Sequence, residues 1–156
     1  MAFPLFFSTS FRSAPILYLR EGNKAFAAKD YDKAIECYTS AIRADPKNHV
    51  FYSNRSASYA AKEQWDEAIS DAKQCIKNNP SFIKGYYRLA TAQISKHDYD
   101  GASTTIKQGL NIEPGNKQLE RQMRIVKTKK AEEKLRASQA ASANSVAAGA
   151  MGGAAG

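Results

Sequence analysis

Two carboxamides and two cations stand at spacings that could bring them to one surface: Asn23, Asn54, Lys84 and Arg88. Lys84 and Arg88 are four residues apart, so on a helix both project from one face. Asn54 and Arg88 are 34 residues apart, a distance that recurs elsewhere in the chain. The chemistry open to such a set is anion capture. Asparagine amides donate to a carboxylate while also steadying a peptide backbone. Lysine and arginine supply charge-assisted donors, each stronger than a neutral hydrogen bond. A peptide's C-terminal carboxylate suits that set, and an aspartate as last residue brings a second carboxylate.

The elements that must hold these residues follow from a period. Tyr31-Asp32-Lys33-Ala34, Trp65-Asp66-Glu67-Ala68 and Tyr99-Asp100-Gly101-Ala102 start 34 residues apart. A proline follows each alanine twelve residues on, at Pro46, Pro80 and Pro114, and a tyrosine precedes each phrase by thirteen, at Tyr18, Tyr52 and Tyr86. A period that strict is one supersecondary unit copied three times.

Each unit carries two helix signals. Ser13 and Pro15 predict a start, because proline is tolerated in the first helical turn, and the first helix runs to about Ala28. Lys29-Asp30 forms a turn. A second helix spans about Tyr31 to Ala44, where Ala34, Ile35, Tyr38, Ala41 and Ile42 keep the spacing of an amphipathic face. Pro46 ends it, since a residue before proline avoids the helical region. The pattern predicts further pairs at about 50–62 with 65–77, and 82–95 with 99–110. A seventh helix from about Asn116 to Arg136 carries a narrow stripe of Leu119, Met123, Val126 and Leu135 and reads as a cap on the last pair. Ala34, Ala68 and Ala102 stand where paired helices approach closely, and larger side chains there would overpack the junction. Asn23, Asn54, Lys84 and Arg88 all fall on the first helices of their pairs.

Composition narrows the function. Of 156 residues, 43% are hydrophobic and 10% aromatic, enough for a core. The net charge of +8 calls for an acidic partner. Residues 116–136 hold eight Lys or Arg against three Glu, yet no aromatic is interleaved and the charge is scattered around the helix. That excludes nucleic acid and membrane in favour of a solvated face. No run of about 20 apolar residues is present to span a bilayer. Cys37 and Cys75 fall on apolar helix faces and read as reduced core thiols, with no clustered ligands for a metal. His49 and His97 lie at repeat boundaries without catalytic partners by spacing, and Gly149, Gly152 and Gly153 lack the lysine of a phosphate loop. No cofactor and no catalytic residue is expected. Residues 1–14 read as a disordered leader, with organelle targeting the alternative for a Ser-rich, acid-free stretch that is short of arginine. Residues 137–156, nearly all Ala, Ser and Gly, read as a flexible tail.

The period, the paired helices, the alanines and the terminal prolines resemble the tetratricopeptide repeat over about residues 15–136, in units of about 15–48, 49–82 and 83–116 with a capping helix at about 116–136. The resemblance implies an all-α solenoid of three helix-turn-helix repeats. The phrases Glu21-Gly22-Asn23-Lys24-Ala25-Phe26, Asn48-His49-Val50-Phe51-Tyr52-Ser53-Asn54-Arg55-Ser56 and Lys84-Gly85-Tyr86-Tyr87-Arg88 are similar to the first repeat domain of the co-chaperones that link the 70-kDa and 90-kDa heat shock chaperones. That resemblance implies a non-catalytic, cytoplasmic, monomeric docking module with a carboxylate clamp for chaperone tails ending Glu-Glu-Val-Asp. It implies that Asn23 and Asn54 hold the terminal aspartate, that Lys84 and Arg88 bind its carboxylates and those just upstream, and that Phe26, Ala57 and Ala60 shape apolar pockets. One position departs. The family has a lysine or arginine four residues before the asparagine that is Asn23 here; this chain has Leu19, and Arg20 beside it is about 100° around the helix. Two alternatives stay open: the targeting arm of a phosphatase or prolyl isomerase, and an organelle import receptor.

Overall fold

Among the described residues seven helices follow one another: α1 (Ser10–Ala27), α2 (Tyr31–Ala44), α3 (His49–Ala61), α4 (Trp65–Asn78), α5 (Ile83–Ser95), α6 (Tyr99–Ile112) and α7 (Lys117–Met151). The structure, a computed structural model, describes the backbone of residues 10–151 and the side chains of residues 14–145. No strand occurs among the described residues. The helices pack as consecutive antiparallel pairs, α1 on α2, α3 on α4 and α5 on α6, and each pair stacks on the next. The first helices also touch one another, α1 against α3 and α3 against α5, and α7 continues that row against α5. They form one continuous lining.

Small residues set the helix spacing. Ala34, Ala68 and Ala102 are fully buried. Facing them, Gly22, Ser56 and Ala90 recur at the same period. A Cβ on Gly22 would come within 2.6 Å of the Tyr38 ring, so only glycine admits a tyrosine at that contact. Gly109 plays the same part for the cap, where a Cβ would meet Leu119 Cδ1 at 2.6 Å. The core of the last repeat joins Ala90, Tyr99, Ala102, Ile106, Leu119 and Val126. Cys75 is buried and Cys37 half-buried, both as free thiols. Burial pushes the Cys75 thiol up to about 11, which keeps it protonated and inert.

The turns inside the repeats hold a feature without a glycine to announce it. Lys29, Glu63 and His97 each sit in the left-handed region, with φ of 61°, 58° and 62°. Each turn closes with a hydrogen bond five residues back, Asp30 N–H to Ala25 O, Gln64 N–H to Tyr59 O and Asp98 N–H to Gln93 O, all at 2.9 Å. These are left-handed C-caps of the Schellman type. The next helix starts at once. Asp30 caps α2 by accepting from Lys33 N–H at 3.1 Å, and Asp98 caps α6 by accepting from Gly101 N–H at 2.9 Å. Between repeats, Lys62 pairs with Asp32, Lys96 with Asp66 and Lys130 with Asp100. Lys130 stands on α7 in the register of Lys62 on α3 and Lys96 on α5, so the cap is seated as a fourth first helix.

Three expectations need correction. The first helix starts at Ser10, with Pro15 inside it. Proline there leaves the carbonyl of residue 11 without its helical donor, a cost that the continuing helix tolerates near its end. Residues 1–9 of the expected leader lie outside the described residues. At the other end, α7 runs on to Met151 where a flexible tail is expected from residue 137. An Ala-rich segment that extends a formed helix needs no nucleation, and alanine is the best helix former. The apolar stripe of α7 is also shorter than expected. Leu119 and Val126 are buried and Met123 packs beside them, but Leu135 is 58% exposed.

Candidate functional site

On the inner lining, α1, α2, α3 and α5 enclose a cavity of about 230 Å³ between Asn23, Phe26, Tyr38, Asn54, Ala57 and Arg88. Four elements contribute because the period returns the same helix face at each repeat. Asn23 and Phe26 come from α1, Asn54 and Ala57 from α3 one turn apart, and Arg88 from α5. Phe26 is braced edge-on against Tyr31, ring centroids 5.5 Å apart, and Ala57 supplies a buried apolar wall.

The amides are tied together. Tyr38 Oη donates to Asn23 Oδ1 at 2.8 Å, and Asn54 Nδ2 donates to the same oxygen at 3.1 Å. Both lone pairs of that oxygen are engaged, so the Asn23 NH₂ is the end left for a ligand. Asn54 keeps its second amide proton.

Arg88 supplies the charge. Its Nε is buried with no hydrogen-bond partner. No carboxylate among the described residues pairs with it, and its guanidinium lies 5.9 Å over the Tyr87 ring. Burial lowers its pKa below the usual arginine value, opposed by Tyr87 and Tyr38; a guanidinium nonetheless stays cationic at neutral pH. A half-buried cation with an unsatisfied donor is a costly arrangement, and an anion from outside would relieve it.

Of the residues expected from sequence, Asn23, Asn54, Arg88, Phe26 and Ala57 come together here. Lys84 and Ala60 do not line the cavity. Lys84 is exposed one turn before Arg88 on α5. Ala60 is half-buried further along α3. Leu19 is partly buried and packs on the cluster of Ala25, Ala34 and Tyr38, so the position fills core instead of offering charge. Arg20 does not replace it: its Nε lies 3.5 Å from Glu21 and its side chain is exposed. Tyr38 is the residue that sequence reasoning missed. Its repeat position holds Ala72 and Ile106 in the other units, and that departure was the available signal.

A second hollow of about 400 Å³ opens between α5 and α7, lined by Tyr87, Thr91, Ile94, Gln122 and Ile125 among others. Its Tyr87 is the chain neighbour of Arg88, which lines the first. Gln122 Nε2 donates to Tyr87 O at 3.2 Å and to Thr91 Oγ1 at 2.7 Å, which fixes the wall.

A solenoid of paired helices with an anion-seeking inner face is the mark of a repeat-built peptide-docking domain. Family models described as tetratricopeptide repeat match residues 15–48 and 59–121, and the chain belongs to the tetratricopeptide repeat family. It is 48% identical over 101 residues to heat shock protein STI1 of Saccharomyces cerevisiae, covering 64% of this chain and 17% of that protein. Among solved structures it is similar to the Sgt2 TPR domain from Aspergillus fumigatus (34% identity, TM-score 0.73, 78% of this chain and 82% of that one). It is also similar to the first TPR domain of Spaghetti (RPAP3) bound to the HSP90 peptide SRMEEVD (29% identity, TM-score 0.73, 76% of this chain and 94% of that one). The chain spans 17% to 34% of the length of the first curated relatives it matches.

Proposed function

We propose that the domain is a non-catalytic docking module that captures the acidic C-terminal tail of a 70-kDa or 90-kDa heat shock chaperone, ending Glu-Glu-Val-Asp. The observation that carries this reading is the buried, unpaired Arg88 Nε beside two asparagine amides in one cavity. Arg88 takes a carboxylate of the last residue, and the free NH₂ of Asn23 and the remaining amide proton of Asn54 donate to the other oxygens. Phe26 and Ala57 receive the apolar residue before it, and exposed Lys84 faces the acids upstream. The peptide on the related Spaghetti domain ends in this way. The same reading puts the place of action in the cytoplasm. No helix among the described residues is long and apolar enough to cross a membrane.

Calorimetric titration with a peptide ending Glu-Glu-Val-Asp, as the free acid and as the C-terminal amide, tests the reading. Amidation removes one full charge and is expected to weaken binding at least about tenfold, from the loss of a charged hydrogen-bond partner. Equal affinity for the two forms would end the proposal.

A further inference from the structure

We infer that Tyr38 is a positioning residue whose hydroxyl sets the polarity of the cavity: by donating to Asn23 Oδ1 it leaves the Asn23 NH₂ as the end offered to a ligand, so the site selects a carboxylate over an uncharged amide. The inference rests on the docking reading above.

Packing alone does not call for this hydroxyl. The same repeat position is filled by Ala72 and Ile106, both fully buried, so the register accepts plain apolar side chains. In the first repeat the position holds a tyrosine that is 1% exposed, and Gly22 makes room for its ring. Leu19 and Phe26 pack against the same cluster and hold the ring in place. The phenol oxygen then reaches Asn23 at 2.8 Å, across the gap from α2 to α1.

The geometry fixes the direction of the amide. Two donors, the Tyr38 hydroxyl and the Asn54 amide, converge on one Asn23 atom. Turning the Asn23 amide over would set its NH₂ against the Asn54 NH₂, donor facing donor. Burial pushes the phenol up to about 12, with the Asn54 amide and the Arg88 charge opposing, so the hydroxyl keeps its proton and its role as donor at physiological pH. Without the hydroxyl, only the Asn54 donor holds Asn23; the two amides can then turn over together, Asn23 NH₂ donating to Asn54 Oδ1, and the Asn23 oxygen is presented instead. That oxygen would repel a carboxylate and welcome the N–H of an amidated terminus.

The test compares the native chain and Tyr38→Phe, each titrated with the free-acid and the amidated peptide ending Glu-Glu-Val-Asp. The free-acid affinity of Tyr38→Phe is expected to fall about five- to tenfold, one hydrogen bond's worth, while the amidated peptide binds as before. The ratio between the two forms shrinks by that factor. A Tyr38→Phe chain that keeps the native ratio would overturn the inference, and so would one that weakens both peptides equally. A native chain that fails to distinguish the two peptides defeats the docking reading itself, one step earlier. Should Tyr38→Phe not fold by circular dichroism, Asn23→Asp carries the test. The Tyr38 and Asn54 donors then satisfy one carboxylate oxygen and the other faces the ligand, so preference is expected to reverse toward the amidated peptide. A retained preference for the free acid would overturn the inference.

Discussion

Arg55 on α3 and Arg88 on α5 both sink their guanidinium groups into the solenoid, and they live in opposite circumstances. Arg55 donates from Nε and Nη2 to the two oxygens of Asp71 at 2.7 and 2.8 Å and from Nη1 to Thr39 Oγ1 at 2.9 Å. Its charge lies 5.8 Å from the rings of both Tyr52 and Tyr59. Burial works against the charge, yet the Asp71 bond and charge more than offset it and raise the pKa above the usual arginine value. Arg88 has burial without a carboxylate, and its pKa moves the other way. One guanidinium finds its anion inside the chain and knits α2, α3 and α4 together. The other is left wanting, on the wall of a cavity that two asparagine amides also line. Under the docking reading proposed above, residues of one type divide between holding the fold and serving the ligand: Arg55 has its donors satisfied inside the chain, and Arg88 Nε has none.

Exchanging the two arginines for alanine is the most forceful way to break that contrast. Arg55→Ala strands Asp71 in the core and is expected to cost about 3 kcal/mol of stability, read from urea unfolding, with peptide affinity of the folded chain within about twofold. Arg88→Ala removes a lone buried charge. Its unfolding midpoint is expected to hold or rise, while affinity for the free-acid peptide falls about ten- to a hundredfold. Equal stability losses in the two variants would erase the distinction. A smaller effect sharpens it from the other side. Leu19→Lys adds a second cation beside Asn23 and is expected to strengthen free-acid binding up to about tenfold, at the expense of packing on Tyr38, visible as a lower thermal midpoint. No gain in affinity would show that position 19 cannot reach the ligand from α1. Least is expected of Lys84→Ala. An exposed ion pair is worth about 0.2–1 kcal/mol, so binding should weaken only about two- to fivefold and recover part of the difference in high salt.

Much of this was legible in the chain before any coordinate. The 34-residue period places α2 at Tyr31–Ala44 to the residue, because proline and the Tyr-Asp-Lys-Ala phrase mark both ends. Asn23, Asn54 and Arg88 meet because the period returns one helix face to one groove. The remainder depends on physics that a period does not carry. Lys84 shares a helix face with Arg88, but one turn displaces it from the cavity. Tyr38 looks like core by its spacing, and its ring is core; only the position of the hydroxyl, set by Gly22, gives it a second role. The three left-handed turn residues escaped notice because lysine, glutamate and histidine stand where glycine is customary. The long α7 contradicts a composition reading that took Ala, Ser and Gly for slack chain, when alanine dominated and a helix was already under way.

Those three turn residues have a practical consequence. A side chain in the left-handed region costs about 1 kcal/mol relative to glycine, and Lys29, Glu63 and His97 each bear that strain in the turns inside the repeats. None of the three lines the cavity of Asn23, Asn54 and Arg88, so glycine at these positions offers an engineer a dial for thermal robustness that replaces no residue proposed to bind, and the durability of the scaffold can be tuned apart from its taste for ligands.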